Sequence, residues 1–199
     1  PSSRLSVSFH PAISFNEREL QYVDTLDSSL AASADSTRYV FASLKQTNMR
    51  MTIRVNYSIT PEISIQFYGQ PFISSGKYRD FKHITDSKAD AYDDRFYSFA
   101  GNQVIYDDID SMYRIDENAD GFSNFSFENP NFNFMQFRSN LVLRWEYLPG
   151  STVFLVWSQG RTHTGESGDF RFGRNFGDLF RTKPHDVFLV KFTYRFGLR

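Results

Sequence analysis

The chain has 199 residues, no cysteine and a formal net charge of -1 at pH 7. This near-neutral balance gives no electrostatic case for nucleic-acid binding, and the lack of cysteine excludes disulfides and thiolate metal sites. No run of about 18 apolar residues is present, which excludes a transmembrane helix. Aromatic residues nevertheless reach 18% of a chain that is only 40% hydrophobic. That balance suits strands with one lipid-facing and one lumen-facing side.

Apolar and polar residues alternate along the first part of the chain, which predicts three long β-strands. A break in the alternation within the first strand indicates a β-bulge. Pro11 removes a backbone donor from that strand and predicts an edge or an irregularity. Residues 24–37 are small, polar and acidic, and are predicted to form a loop. The three predicted strands cover residues 4–23, 38–60 and 63–76.

A long polar insertion at 77–131 separates these strands from the rest of the chain. It contains short β-like pieces at 95–99 and 103–106, and it is too long for an ordinary connection, so we expect a structured, functional loop. A second polar, glycine-rich stretch at 162–184 is also predicted to be a loop. The fourth and fifth predicted strands, which lie between the two, cover residues 132–147 and 152–161.

The last predicted strand, residues 186–196, has two different faces. One is wholly apolar and becomes aromatic towards its end, whereas the other turns polar. Aromatic crowding at a chain terminus is typical of the closing strand of an outer-membrane β-barrel, where such residues face lipid. The predicted lipid-facing residues of this assembly strand are Phe188, Val190, Phe192, Tyr194 and Phe196.

Short and long connections alternate along the chain. Tight turns are predicted at Pro61 and Pro149, and a third near the opening Pro1, while the other connections are long. Short turns at one rim and long loops at the other are the asymmetry of outer-membrane barrels. The pattern therefore predicts a Gram-negative outer membrane location, with 77–131 and 162–184 extracellular and the C-terminus periplasmic.

The predicted fold is all-β: an antiparallel transmembrane β-barrel. Single-chain bacterial barrels begin at about eight strands, whereas six are predicted here. We therefore expect the whole chain, 1–199, to be the C-terminal six strands of a larger barrel. Several copies that each donate six strands are the less favoured alternative.

Polar side chains occupy the parity opposite to the apolar one. Both signs of charge occur there, which favours an ion-paired interior, with a selective pore as the alternative. The predicted lumen-facing residues are Arg50, Arg54, Asn56, Gln66, Arg138, Arg144, Glu146, Lys191 and Arg195.

The sharpest local motif comprises Asp116, Asn118 and Asp120, followed by Gly121. Oxygen ligands at alternate positions with glycine at the sixth match the first half of a calcium loop. Phe127 at the twelfth position excludes an EF-hand. The expectation is a structural Ca²⁺ that rigidifies an extracellular loop, and a solvated acidic loop is an equal alternative.

Catalytic spacing is missing from the sequence. The four histidines form no H-x-x-x-H or H-E-x-x-H pattern, and no G-x-S-x-G occurs. An outer-membrane hydrolase stays as a lesser alternative, which requires His10, His163 or His185 beside a serine and an aspartate. Aromatic residues of the long loop either stack on sugars or pack the loop itself, and packing is favoured. These residues are Phe96, Tyr97, Phe99, Tyr106 and Tyr113.

Several pieces are familiar in combination, above all the strings Gln-Pro-Phe-Ile-Ser-Ser-Gly at 70–76 and Val-Trp-Ser-Gln-Gly-Arg at 156–161. With residues 133–147 and the strand from His185, they resemble the C-terminal region of a Bacteroidetes family of large outer-membrane proteins. Members carry an N-terminal domain resembling carbohydrate-binding family 9, followed by a domain of unknown function that is interpreted as a barrel. The resemblance covers nearly the whole chain and implies that earlier strands precede it. It implies no activity.

The predicted function is that of a non-enzymatic outer-membrane protein, either an envelope scaffold or a component of glycan capture and uptake. Its expected partners are outer-membrane lipid, the barrel-assembly machinery, other outer-membrane proteins or lipoproteins, and glycan, with no nucleic acid. The alternative from another class is a soluble, calcium-stabilised β-sandwich that binds carbohydrate.

Overall fold

The computed structural model describes residues 4–27 and 37–197, and it is all-β and antiparallel. Within those residues, no helix is long and apolar enough to cross a membrane. One 3₁₀ turn lies at Asp93–Arg95. The strands and the helix are β1 (Leu5–Asp27), β2 (Thr37–Ser58), β3 (Ile63–Ile84), β4 (Phe96–Ser98), β5 (Val104–Asp107), β6 (Met112–Ile115), β7 (Phe125–Glu128), β8 (Phe132–Leu148), β9 (Ser151–Gly165), α1 (Phe172–Arg181) and β10 (His185–Thr193).

The main sheet has the strand order β1-β2-β3-β8-β9-β10, with β4 added to one end of β3. All six predicted strands are present, and each pairs antiparallel with the next, so this part of the prediction is confirmed. Within the described residues β1 and β10 are the two edges, which suits Pro11 on β1. We call the end with the β2–β3 and β8–β9 turns the turn end, and the opposite end the loop end.

Several strands run further towards the loop end than the sequence predicted. β3 continues to Ile84 because it keeps its pairing with β2, where Tyr78 lies opposite Leu44. β9 likewise continues to Gly165 opposite Asn133. The predicted loop at 24–37 shrinks from both sides, and its centre, 28–36, lies outside the described residues, as do residues 1–3 and 198–199.

Bulges bend the loop end of the sheet. β1 has register shifts between Arg18 and Gln21 and again before Asp24, which confirms the predicted bulge. A further shift in β3 falls at Asp80, whose φ of 54° is left-handed. Because these extra residues lie in β1 and β3, the alternation in β2 continues without interruption.

The long insertion folds into a second sheet, β5-β6-β7. The pieces predicted at 95–99 and 103–106 correspond to β4 and β5, whereas β6 and β7 were not predicted. The second sheet packs on the loop end of the main sheet through a buried apolar cluster. Its members are Leu26, Val40, Ala42, Phe81, Ile115 and Phe127.

The predicted loop at 162–184 contains a helix, α1, which the sequence prediction missed. Leu179 of α1 is fully buried and packs in a second apolar cluster with Met49, Ile73 and Met135. At the other end of the helix, the buried Asn175 side chain accepts a hydrogen bond from the Arg171 N–H at 2.9 Å. α1 therefore fastens the segment after β9 to one side of the main sheet.

The last strand ends at Thr193 and not at Phe196 as predicted. Thr193 lies opposite Thr152, and its partner strand β9 begins one residue earlier, at Ser151. Beyond Thr193, β9 therefore has almost no residues left to pair with β10. The Arg195 N–H instead donates to the Ser151 hydroxyl at 3.0 Å.

Candidate functional site

The register of the main sheet separates its predicted lumen and lipid residues onto opposite sides. Asn56 lies opposite Gln66, and Gln66 lies opposite Val142, on one side. Leu155 lies opposite both Leu143 and Val190 on the other. We call the first side the polar face. Whether it faces a lumen stays a prediction.

The second side bears a continuous stripe of apolar residues near the turn end, which we call the apolar belt. Phe188, Val190 and Phe192 on β10 are 75%, 69% and 64% exposed. The ring of Phe188 stacks on that of Trp157, with centroids 6.0 Å apart. One complete row of the belt, read across the six strands, is Val7, Val55, Phe67, Leu141, Trp157 and Phe188.

The other two predicted lipid-facing residues, Tyr194 and Phe196, lie beyond the end of β10. Their rings contact each other edge-on at 4.8 Å and are exposed. Arg195 between them was predicted to face the lumen. Its side chain lies against Gly150 in the β8–β9 turn, so it belongs to the turn end and not to a strand.

The polar face carries far more positive than negative charge. Among the predicted lumen-facing residues that the structure describes, the single ion pair is the one in which Arg144 donates to Glu146 at 2.6 Å. The guanidinium of Arg54 lies 5.5 Å from the ring centroid of Tyr68, and the Lys191 amine lies 5.9 Å from that of Phe154. The mixed charges in the sequence favoured ion pairing across this face, but among the predicted lumen-facing residues the structure shows it at one position.

Three shallow depressions lie along the polar face, and each is lined by an arginine of that face. The largest, of about 350 Å³, is lined by Arg138 with Gln136, Thr162, Lys183 and His185 among its neighbours. The others contain Arg50 and Arg54 and measure about 300 and 190 Å³. Lys183 was not among the predicted lumen-facing residues because it lies between α1 and β10, in a segment with no strand alternation.

One row of the polar face joins these features. Arg138 lies opposite Gln70 on one neighbouring strand and opposite Gly160 on the other. Because Gly160 has no side chain, it leaves space between Arg138 and the edge strand. The full row is His10, Thr52, Gln70, Arg138, Gly160 and His185.

The β5-β6-β7 sheet covers the polar face at the loop end. Val40 and Ala42 share the parity of Arg50 and Arg54 along the uninterrupted strand β2, and both are buried beneath this small sheet. The insertion therefore closes over the side of the main sheet that carries the charges. The aromatic residues predicted either to bind sugar or to pack the loop do pack, as in Tyr113, whose ring stacks on Phe127 at 5.5 Å.

His83 is buried at the loop end of β3, and no sequence motif assigned it a role. Its ring lies between Tyr97 and Phe99, with centroids 5.5 and 5.4 Å away. Its Nε2 is 3.7 Å from the carboxylate of Glu117, which also accepts a hydrogen bond from Arg38 at 3.1 Å. Burial lowers the pKa of His83 below its ordinary value, although hydrogen bonding to Ile84 and the charge of Glu117 act in the opposite direction.

The predicted calcium residues lie together in the β6–β7 connection, where they make hydrogen bonds to their own loop. The nearly buried Asp116 carboxylate accepts the backbone N–H groups of Asp120 and Gly121, at 3.2 and 2.7 Å. The Asn118 amide donates to Asp120 at 2.8 Å. The described part of the chain holds no group of three acidic or histidine side chains suited to a metal. Calcium binding stays a prediction.

The other three histidines, on which the lesser hydrolase alternative depends, lie in separate parts of the sheet, and that alternative stays untested. His163 contacts the Thr182 hydroxyl at 3.3 Å, next to α1. His10 and His185 lie on the two opposite edge strands. Asp186, beside His185 in sequence, accepts hydrogen bonds from Trp157 and Gln159 on the opposite side of the sheet.

A family model described as a domain of unknown function, DUF5916, matches residues 2–197. Neither the curated proteins nor the solved structures include a match to this chain. The match agrees with the expected relation to a family of unknown function, and the expected N-terminal carbohydrate-binding domain stays a prediction.

Proposed function

We propose that this chain, which belongs to the family described as domain of unknown function DUF5916, forms six neighbouring strands of an outer-membrane β-barrel. The polar face lines the lumen, and the apolar belt contacts lipid. The protein acts without catalysis, as an envelope scaffold or as a component that captures and passes a solute such as a glycan.

The apolar belt is the observation that carries the proposal. It crosses all six strands of the main sheet, and its exposed members include Val7 and Phe9 at one edge and Phe188 and Val190 at the other. Soluble monomers rarely expose a contiguous apolar patch larger than a few hundred Å². Exposure of such a belt to water is unfavourable, whereas contact with the hydrocarbon of a lipid bilayer is not, because apolar side chains in hydrocarbon do not contact water.

The belt also runs obliquely across the strands. On β10 its exposed residues end at Phe188, which the register aligns with Val7 of β1. On β1 exposed apolar residues continue to Phe15, about eight residues or roughly 26 Å further. Five strand spacings span roughly 24 Å, so the strands are inclined by about 45° to the belt. Membrane barrel strands are tilted by roughly 35–45°.

Aromatic residues mark the turn-end border of the belt. Trp145 and Tyr194 are both about half exposed, and Tyr57 is nearly so. Outer-membrane barrels carry girdles of aromatic residues where the hydrocarbon meets the headgroups. The short turns at this end then face the periplasm, and the large insertion faces the exterior.

A soluble β-sandwich requires a second layer packed over the apolar side. In the described residues that layer is limited to α1 and its flanking segment, which cover Met49, Ile73 and Met135 near the loop end. The belt residues nearer the turn end, such as Phe192, stay exposed. This distribution favours lipid over a second sheet.

The proposal is tested by fractionation and by gel mobility. We expect the full-length protein that contains this chain to partition with outer membranes, to resist alkaline carbonate and to require detergent for extraction. Its folded band should migrate faster than the boiled band, since barrels keep their structure in detergent without heating. Recovery from the aqueous fraction as a stable monomer without heat-modifiable migration would refute the barrel and favour the sandwich.

A further inference from the structure

The positive charge of the polar face has almost no internal compensation. Of the described basic residues predicted to face the lumen, Arg144 alone forms an ion pair, with Glu146. Arg50, Arg54 and Arg138 are exposed and have no acidic partner within the described part of the chain. An arginine held on a strand and left without an acid is free to bind an anion, because its planar fork matches carboxylate, sulfate and phosphate groups.

Neutral hydrogen-bonding groups fill the spaces between these cations. Arg54 shares its depression with Asn56, Gln66 and Asn140. Arg138 shares its depression with Gln136 and Thr162. Amides and hydroxyls both donate and accept, so they suit the hydroxyl groups of a solute whose acidic group binds the arginine.

The spacing of the arginines defines a path along the face. Arg50 and Arg54 lie on β2 and are four residues apart in sequence, roughly 13 Å along a strand. Arg138 lies two strands from β2 and, in register, between them, because its partner Gln70 donates to the Thr52 hydroxyl at 3.1 Å. The three cations therefore follow one another across the sheet and suit a ligand with more than one acidic group.

We propose that the polar face binds anionic, hydroxyl-bearing solutes, with acidic oligosaccharides as the ligand class and Arg54 and Arg138 as the anion-binding residues. Lys183 beside Arg138 adds a positive charge to the same depression. The inference rests on the proposed function, since the polar face is a solute path only if the sheet lines a barrel. A lumen lined by one sign of charge concentrates ligands of the opposite sign, and this effect weakens with salt.

Calorimetric titration of the detergent-solubilised protein tests the inference with three tetrasaccharides: sulfated, uronate and neutral. We expect at least one anionic sugar to bind about tenfold or more tightly than the neutral one, because hydrogen bonds to charged groups are strong. The double variant Arg54→Gln and Arg138→Gln should lose that preference. The matched control, Lys88→Gln and Arg181→Gln, removes the same charge from exposed positions that line none of the three depressions and should keep it.

Equal affinity for neutral and anionic sugars, absence of binding by all three, or equal losses in the two double variants would overturn the inference. The fractionation experiment tests the barrel separately from sugar binding. A heat-modifiable membrane protein without anion preference removes the inference and leaves the barrel. Anion binding by a protein recovered from the aqueous fraction would instead remove the barrel, and with it the solute path.

Discussion

At the scale of single residues, His83 connects the main sheet to the insertion that covers it. Its ring is enclosed by Tyr97 of β4 and by Phe99, while Glu117 approaches from the β6–β7 connection and Arg38 from β2. A proton on this ring gains the attraction of Glu117 but loses hydration and meets the charge of Arg38. Burial has the larger effect, so the pKa of His83 is lowered.

The sign of the resulting pH dependence follows from this shift. Above the ordinary histidine pKa of 6.5 the ring is neutral in the folded and unfolded states alike. As the pH falls below 6.5, the unfolded chain takes up the proton first, so the docked loop loses stability until the lowered folded pKa is passed. We expect amide hydrogen exchange in residues 96–128, corrected for intrinsic rates, to become faster relative to β8 between pH 7.5 and 5.

Replacing His83 by glutamine should remove most of that pH dependence, because no buried ring then titrates at this position. His185→Gln is the matched control, since His185 is exposed and lies on β10 away from the insertion. Equal pH responses in the two variants would show that another group controls the loop.

Asp116 is the second residue whose burial makes a prediction possible. Its two oxygens accept two backbone N–H groups, and an asparagine there would present an NH₂ to one of these donors. We expect Asp116→Asn to destabilise the insertion by about 1–3 kcal/mol. The measurement is limited proteolysis in the presence of EDTA, in which residues 96–128 of the variant should be cleaved earlier than those of the wild type. The exposed Asp108→Asn should have little effect. Repeating both with Ca²⁺ tests the calcium expectation, because only a bound ion would add protection to the wild type.

At the scale of elements, the alternation of apolar and polar residues predicted the strands of the main sheet, whose pairing the structure shows. The strands of the main sheet have a period of two and were predicted in order, as was the bulge in β1. α1 was missed because it is short, contains Gly173 and Gly177, and is stabilised by tertiary packing of Leu179 more than by its own sequence. The strands β6 and β7 have four residues each, too few for a periodic signal.

The same packing predicts the consequence of truncating Leu179. Its side chain is fully buried against Met49, Ile73 and Met135, and removing it leaves a cavity. We expect Leu179→Ala to cost about 2–5 kcal/mol of unfolding free energy, measured by denaturant titration of the folded protein in detergent. Phe172→Ala on the same helix should cost much less, because Phe172 is 49% exposed. A loss below about 1 kcal/mol for Leu179→Ala would show that α1 is not docked as described.

At the scale of the whole molecule, one side of the main sheet carries the apolar belt and the other carries the charged residues of the polar face. The sequence predicted both faces because strand alternation determines them directly. It did not predict that the charges would stay unpaired, since pairing depends on register between strands that are distant in sequence. Arg54, for example, lies opposite Tyr68 and not opposite an acid. It also did not predict that the insertion folds back over the polar face, because that docking depends on contacts between residues distant in sequence, such as Val40 with Ile115 and Phe127 in one buried cluster.

Two neighbouring residues of β10 test the two-sided character of the sheet in a single experiment. Val190 belongs to the apolar belt and lies opposite Leu155, whereas Leu189 belongs to the polar face and lies opposite Val156. If the belt contacts lipid, Val190→Arg places a charge in hydrocarbon and should cost roughly 2–4 kcal/mol near the bilayer midplane. Leu189→Arg adds the same side chain to a face that already carries unpaired arginines and should be tolerated. The readout is the folded, fast-migrating fraction after refolding into liposomes across a urea series. On a soluble sheet with both faces in water, either substitution at an exposed position would change stability by only about 0.5 kcal/mol, so equal and small effects of the two arginines would contradict the lipid-facing belt.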